Sequence, residues 1–271
     1  MKHFRNNYAF MFVSAGMLIS ALTGCQCNGG QKDAINKETV EADVREFVYP
    51  LPTAFEVTEM LNRIEASYII DLSNSPENAE KYLSEKSRAL NLGVYSADLS
   101  YASTYNQQQY IVDFMSASRK LVEALELTAS VDPELPKKVE QNENNKDELI
   151  SLITESFYNT YDYLNKNDRA PVAMLVISGS FVEALYIATN ISDNTYNNKE
   201  MVKIVMTQRE PFQKLMELLQ KYSATDYVKE TIEDLKPLYA AFSAIDAGGI
   251  TEVQLDQIKT EVKSLRSKII L

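Results

Sequence analysis

Residues 170–191 read APVAMLVISGSFVEALYIATNI, and the fold turns on how this stretch is read. It is apolar around its whole circumference apart from Ser178, Ser180 and Glu183, so as a helix it has no side that prefers water. At its length it could span a bilayer, for which about 20 apolar residues suffice. The rest of the chain favours another reading. A helix apolar on every side forms the centre of a bundle when its neighbours carry amphipathic stripes to cover it.

The neighbours do carry them. Glu148 to Leu164 places Leu149, Ile153, Phe157, Tyr161 and Leu164 at helical spacing. Further upstream, Thr53 is suited to cap a helix in which Val57, Met60, Leu61, Ile64, Tyr68 and Leu72 recur every three to four residues. Ser75-Pro76 opens a second helix to about Asn91, with Tyr82, Leu83 and Leu90 inward. Beyond Gly93, Val94 to Tyr105 is rich in small residues and tyrosines; Gln107 to Leu127 follows and ends before Pro133 and Pro136. Residues 137–147 read as a solvated connector or weak helix. Downstream, Pro211 and Pro237 should kink or split helical runs. After Gly248-Gly249, Thr251 caps a last helix, and Leu255, Ile258, Val262, Leu265 and Ile269 form a seam for packing on another helix. Period-2 strands are not in evidence. The predicted class is all-α, a multi-helix bundle of roughly eight to nine helices. Tyr82-Leu83 and Arg88-Ala89 recur 81 positions later as Tyr163-Leu164 and Arg169-Ala170, the trace two similar helical halves would leave.

The N-terminus reads separately. Lys2 and Arg5 precede an apolar run from Tyr8 to Leu22, and Leu22-Thr23-Gly24-Cys25 follows at once. This resembles the lipobox of bacterial lipoproteins. The resemblance implies that residues 1–24 are a cleaved signal peptide and that Cys25, acylated, becomes the first mature residue and the membrane anchor. Gln26 stands where an Asp would signal inner-membrane retention, so the expected location is the outer membrane of a Gram-negative envelope. Residues 25–52 are the lipidated cysteine and a polar tether reaching about 25 Å over about 20 residues, stiffened by Pro50 and Pro52. Residues 53–271 form a single all-helical domain. That body resembles all-helical envelope lipoproteins in general, with no specific family indicated.

Composition removes several chemistries. The net charge of −11 falls to −13 once Lys2 and Arg5 leave with the leader, which argues against nucleic acid as a partner. Cys25 and Cys27 are the only cysteines, so with Cys25 acylated no disulfide framework exists. The single histidine, His3, lies in the leader, which excludes histidine-dependent nucleophiles and histidine-based zinc or haem sites from the mature chain. Helical envelope proteins of the imelysin type carry a histidine in their hallmark motif, so that comparison fails. No phosphate-binding glycine loop is present, and neither a cofactor nor a metal is expected.

One polar cluster stands out. Tyr95, Asp98, Tyr101 and Tyr105 fall along one side of a helix, and Arg88 is the nearest candidate partner for the Asp98 carboxylate. Its counterpart is Arg169, Ser180, Glu183 and Tyr186. Two such acids could face each other across the bundle, either as a buried ion pair satisfied by tyrosine hydroxyls or as the polar lining of a pocket. Asp113 reads as a polar-face residue; Asp193, Asn194, Asn197 and Asn198 as a helix-capping turn; Met201, Met206 and Met216 as core filler.

The first functional expectation is non-enzymatic: a tethered helical module that docks an envelope protein or associates with copies of itself. The alternative is a small-molecule binding module with its pocket around Asp98 and Glu183. A carboxylate-dependent enzyme acting on envelope polysaccharide comes third.

Overall fold

The computed structural model describes residues 54–192, 195–246 and 249–271. The expectations for the leader, Cys25, Cys27, the tether with Pro50 and Pro52, the Thr53 cap, Asp193, Asn194 and Gly248 lie outside them. Among the described residues there are ten α-helices. These are α1 (Ala54–Arg63), α2 (Glu85–Thr104), α3 (Gln108–Ala124), α4 (Leu135–Gln141) and α5 (Lys146–Lys166). They continue as α6 (Ala170–Asn190), α7 (Lys199–Thr207), α8 (Arg209–Lys221), α9 (Asp226–Ser243) and α10 (Glu252–Ile270). No β-strand occurs among the described residues; Asp246 and Gly249 form one isolated bridge. The chain is all-α.

Helix α6 is the apolar stretch beginning at Ala170, and it lies inside the bundle. Its mean hydropathy of 1.8 would suit a membrane, yet 89% of its most apolar window is covered by protein. Each buried Val, Leu, Ile or Phe side chain there contributes about 1.5–3 kcal/mol relative to exposure. Helix α2 packs along it, and α1, α5 and α7–α10 complete the surroundings.

The α2–α6 contact is made by backbone. A Cβ added at Gly93 would lie 1.9 Å from the Val176 carbonyl oxygen, and one added at Gly179 would lie 1.9 Å from that of Leu90. Only glycine fits at either position. The helices run in the same direction: Gly93 meets Val176 and Ser180, and further along Ala97 and Tyr101 share a cluster with Ala184, Ile187 and Ala188. The facing glycines are 86 positions apart, not the 81 of the sequence echo.

Several boundaries differ from the sequence expectation. The first helix stops at Arg63, and Ile70–Leu72 and Pro76–Lys81 are 3₁₀ turns. Helix α2 is then capped by Ser84, whose hydroxyl accepts from the Ser87 N–H in a capping box, and continues unbroken through Gly93. Four helices end on residues with positive φ that are not glycine: Glu65, Asn106, Glu126 and Asp168. After each, the next N–H reaches back five residues, as from Gln107 to Ala102 O at 2.9 Å and from Leu127 to Val122 O at 2.8 Å. This is the Schellman closure. Pro211 lies in the first turn of α8, just past the α7–α8 break. Pro237, in contrast, lies within α9 and does not split it. Thr251 caps α10 with a Gln254 capping box, and the five residues of its seam are all buried.

Candidate functional site

Asp98 on α2 and Glu183 on α6 stand near each other at the centre of the bundle, both 0% exposed. The cation between them and solvent comes from neither of those helices. Arg266 on α10 donates from Nε to Glu183 Oε2 and from Nη2 to Glu183 Oε1, each at 2.7 Å. Its Nη2 also donates to Leu72 O at 2.8 Å, and the guanidinium lies 4.1 Å from the centre of the Tyr186 ring. Such a bidentate pair fixes both partners in direction and distance. Asp98 Oδ2 accepts from the Asn74 N–H at 3.0 Å. Its Oδ1 has no well-aligned hydrogen-bond partner among the described residues.

Two carboxyls thus share one guanidinium in a space closed to water. Burial, and then the Glu183 charge, push the Asp98 carboxyl well above its ordinary range, while Arg266 and the Asn74 N–H pull the other way. Burial raises Glu183 as well, opposed by Arg266. The arrangement that balances charge is an ionised Glu183–Arg266 pair beside a protonated Asp98. Burial also raises the nearby phenols, Tyr101 to about 12, so they remain neutral.

The other residues of the expected cluster are dispersed. Arg88 does not meet Asp98; it donates from Nε to Tyr82 O at 3.0 Å and from Nη1 to Ala124 O at 3.2 Å. Arg169 donates from Nη1 to Leu125 O at 2.7 Å and from Nη2 to Glu85 Oε1 at 2.8 Å. Both arginines therefore hold the C-terminal end of α3. Tyr95 donates to Ser75 O at 2.7 Å, and Tyr101 accepts from the Ile69 N–H at 2.8 Å. Tyr105 packs edge-on against Tyr101 at 5.1 Å, its buried hydroxyl without a partner among the described residues. Glu183, Asp98 and Tyr186 come together; Ser180 faces elsewhere. Asp113 accepts from Gln109 at 2.9 Å on a partly exposed face. Asn198 caps α7, accepting from the Glu200 and Met201 N–H groups.

Ser180 leads to the feature that the sequence did not announce, a cavity of about 1180 Å³. Its floor is the other face of the central pair: Leu92, Ser96, Val176, Ile177, Ser180 and Phe181. Helices α3 and α5 supply the walls with Met115, Val122, Ile153 and Phe157, and α4 with the turn before it supplies Val131, Leu135 and Val139. The Ser96 and Ser100 hydroxyls are turned onto their own helix, donating to Leu92 O at 2.7 Å and Ser96 O at 2.8 Å. Spent in this way, they add little polarity to the floor. Charge is confined to the rim, at Arg119, Glu123, Asp132, Glu140 and Glu143. Asp98 and Glu183 do not line this space.

Arg266 and the cavity escaped the sequence for different reasons. Arg266 is four residues beyond Val262 on the flank of the α10 seam, so an arginine beside an apolar stripe was the available signal. The cavity arises from where α3–α5 stand, which no local pattern encodes.

No protein-family model matches this chain, and searches of the curated proteins and of the solved structures return no match. Among the described residues no group of three or more His, Cys, Asp or Glu side chains is placed to hold a metal ion.

Proposed function

We propose that the protein is an envelope lipoprotein, tethered through acylated Cys25, whose helical body binds an elongated apolar molecule in the cavity beside α2 and α6. The supporting observation is the cavity itself. At about 1180 Å³ it exceeds the roughly 300–1,000 Å³ common for small-molecule pockets, and apolar side chains on well-packed helices line it. Rigid walls lower the ordering cost of binding. The leader, the lipobox and the polar tether support the membrane attachment, with the outer membrane as the proposed location.

This reading moves the binding site away from Asp98 and Glu183, which are sealed and serve as a structural junction. A role in sugar hydrolysis has no support there, because that chemistry needs two carboxyls on an open cleft. Docking of an envelope protein or of a second copy has less behind it. The most exposed large apolar side chains are scattered: Leu83 precedes α2, Val112 is on α3, Val253 is in the first turn of α10 and Leu271 follows it, and single exposed side chains are ordinary.

The test uses the full-length lipidated protein in a non-ionic detergent and a fluorescent apolar probe. One probe should bind per chain, and native mass spectrometry of protein from native membranes should show a small adduct of fixed mass. Ser96→Phe with Ser180→Phe, both half-buried on the floor, should weaken probe binding about tenfold or more while the fold remains. Probe binding that ignores the double variant would overturn the proposal, and a protein companion in place of the small adduct would restore the docking reading.

A further inference from the structure

Resting on the cavity assignment, the charge around its rim narrows the chemistry of what enters. Among the described residues five charged side chains line the space, and four are acids. Arg119 is the sole cation among the described lining residues, and its Nε is 3.7 Å from Glu123. Asp132 is held by Lys138, whose Nζ donates to Oδ2 at 2.7 Å. Lys137 faces away to Glu134 at 3.5 Å, and neither of these lysines lines the cavity. Once those pairs are set aside, Glu140 and Glu143 remain. No cation lies within ion-pair distance of either one among the described residues. Glu140 lies in the last turn of α4 and Glu143 in the turn just beyond it, where Glu143 Oε1 accepts from Asn144 Nδ2 at 3.3 Å. Gln108 on α3 donates from Nε2 to Glu143 O, which joins that end of α4 to the opposite wall. Two carboxylates without an ion-pair partner among the described residues therefore border a largely apolar space, and among those residues no lining cation is left to receive an anion.

We infer that the ligand is a single-chain amphiphile with a cationic head, an amine or quaternary ammonium, whose chain occupies the floor of Leu92, Val176 and Phe181 and whose head rests between Glu140 and Glu143. The two parts have separate physical origins. Apolar burial holds the chain with no preference for charge. The rim carboxylates select the head and repel a carboxylate or phosphate brought to the same place.

Three probes of equal chain length, each kept below its micelle concentration, test this by displacing the fluorescent probe from the full-length protein. They are dodecyltrimethylammonium, dodecyl maltoside and laurate. The cation should displace about tenfold more effectively than the neutral maltoside, and laurate should be the weakest. Glu140→Gln with Glu143→Gln should bring the cation down to the level of the maltoside without changing the maltoside itself. High salt should narrow the gap in the unmodified protein. Laurate equal to or better than the cation, or a cation preference that survives the double Gln variant, overturns the head-group assignment and leaves the cavity reading standing. If none of the three displaces the probe, the cavity reading falls and this inference falls with it.

Discussion

Two regions flank the same pair of helices and treat charge in opposite ways. Around Asp98 and Glu183 the polar atoms are enclosed, and the site draws in Leu72, Asn74 and the C-terminal helix to satisfy all of the carboxyl oxygens but Asp98 Oδ1. Around the cavity, charge is kept to the rim and the interior is mostly apolar, with hydroxyls such as Ser118, Thr160 and Ser180 among its lining. The first arrangement ties four parts of the chain together; the second leaves room for something the chain does not contain. A pair of acids within an apolar bundle is thus a poor guide to a binding site, because desolvation demands that such acids be satisfied internally.

The contrast can be broken at several points, and the largest effect is expected at the junction. Arg266→Met removes the guanidinium and leaves two carboxyls buried without a counter-charge. A loss of about 3–5 kcal/mol is expected, read by denaturant unfolding. A loss below about 1 kcal/mol would mean that the junction is solvated in solution. Next comes Gly93→Ala, where the new Cβ would press on the Val176 carbonyl; about 3 kcal/mol is expected, with probe binding disturbed as well because both sides share this contact. Ser96→Phe with Ser180→Phe should change affinity about tenfold, roughly 1.4 kcal/mol, while shifting the melting temperature little.

The subtlest effect concerns pH. Asp98 has a folded-state pKa raised above the ordinary value near 4, with burial as the main cause. Its protonated form therefore supports the fold fully below that ordinary value. The support fades as pH rises through the folded-state pKa, where the carboxyl must ionise beside Glu183. Asp98→Asn should flatten the decline in melting temperature on the alkaline side and leave the cavity's probe affinity unchanged. An Asn variant that tracks the parent protein at every pH would show that Asp98 is not the group responsible.

Much of this could be read from residues alone, and where it failed the causes were physical. The circumference of 170–191 and the Leu255–Ile269 seam identified the central helix and a covering helix, because periodicity reports directly on which side is buried. Helix ends were harder. Glu65, Asn106, Glu126 and Asp168 close their helices where glycine is the usual signal, and of the four only Asn106 and Asp168 are residue types that adopt a left-handed backbone with comparative ease. Proximity in sequence misled the pairing of Asp98 with Arg88. The partner that mattered, Arg266, stands on another helix 168 positions away. That Arg88 and Arg169 both grip the end of α3 gives their recurrence a shared structural task.

The glycine contact between α2 and α6 has a mechanical consequence. Side chains that interlock can exchange rotamers and let two helices slide, but a peptide plane resting on another has no such freedom. The floor beneath the cavity is therefore its fixed wall. The opposite wall is set by α3, α4 and α5, and the arginine grip fixes the end of α3 in place.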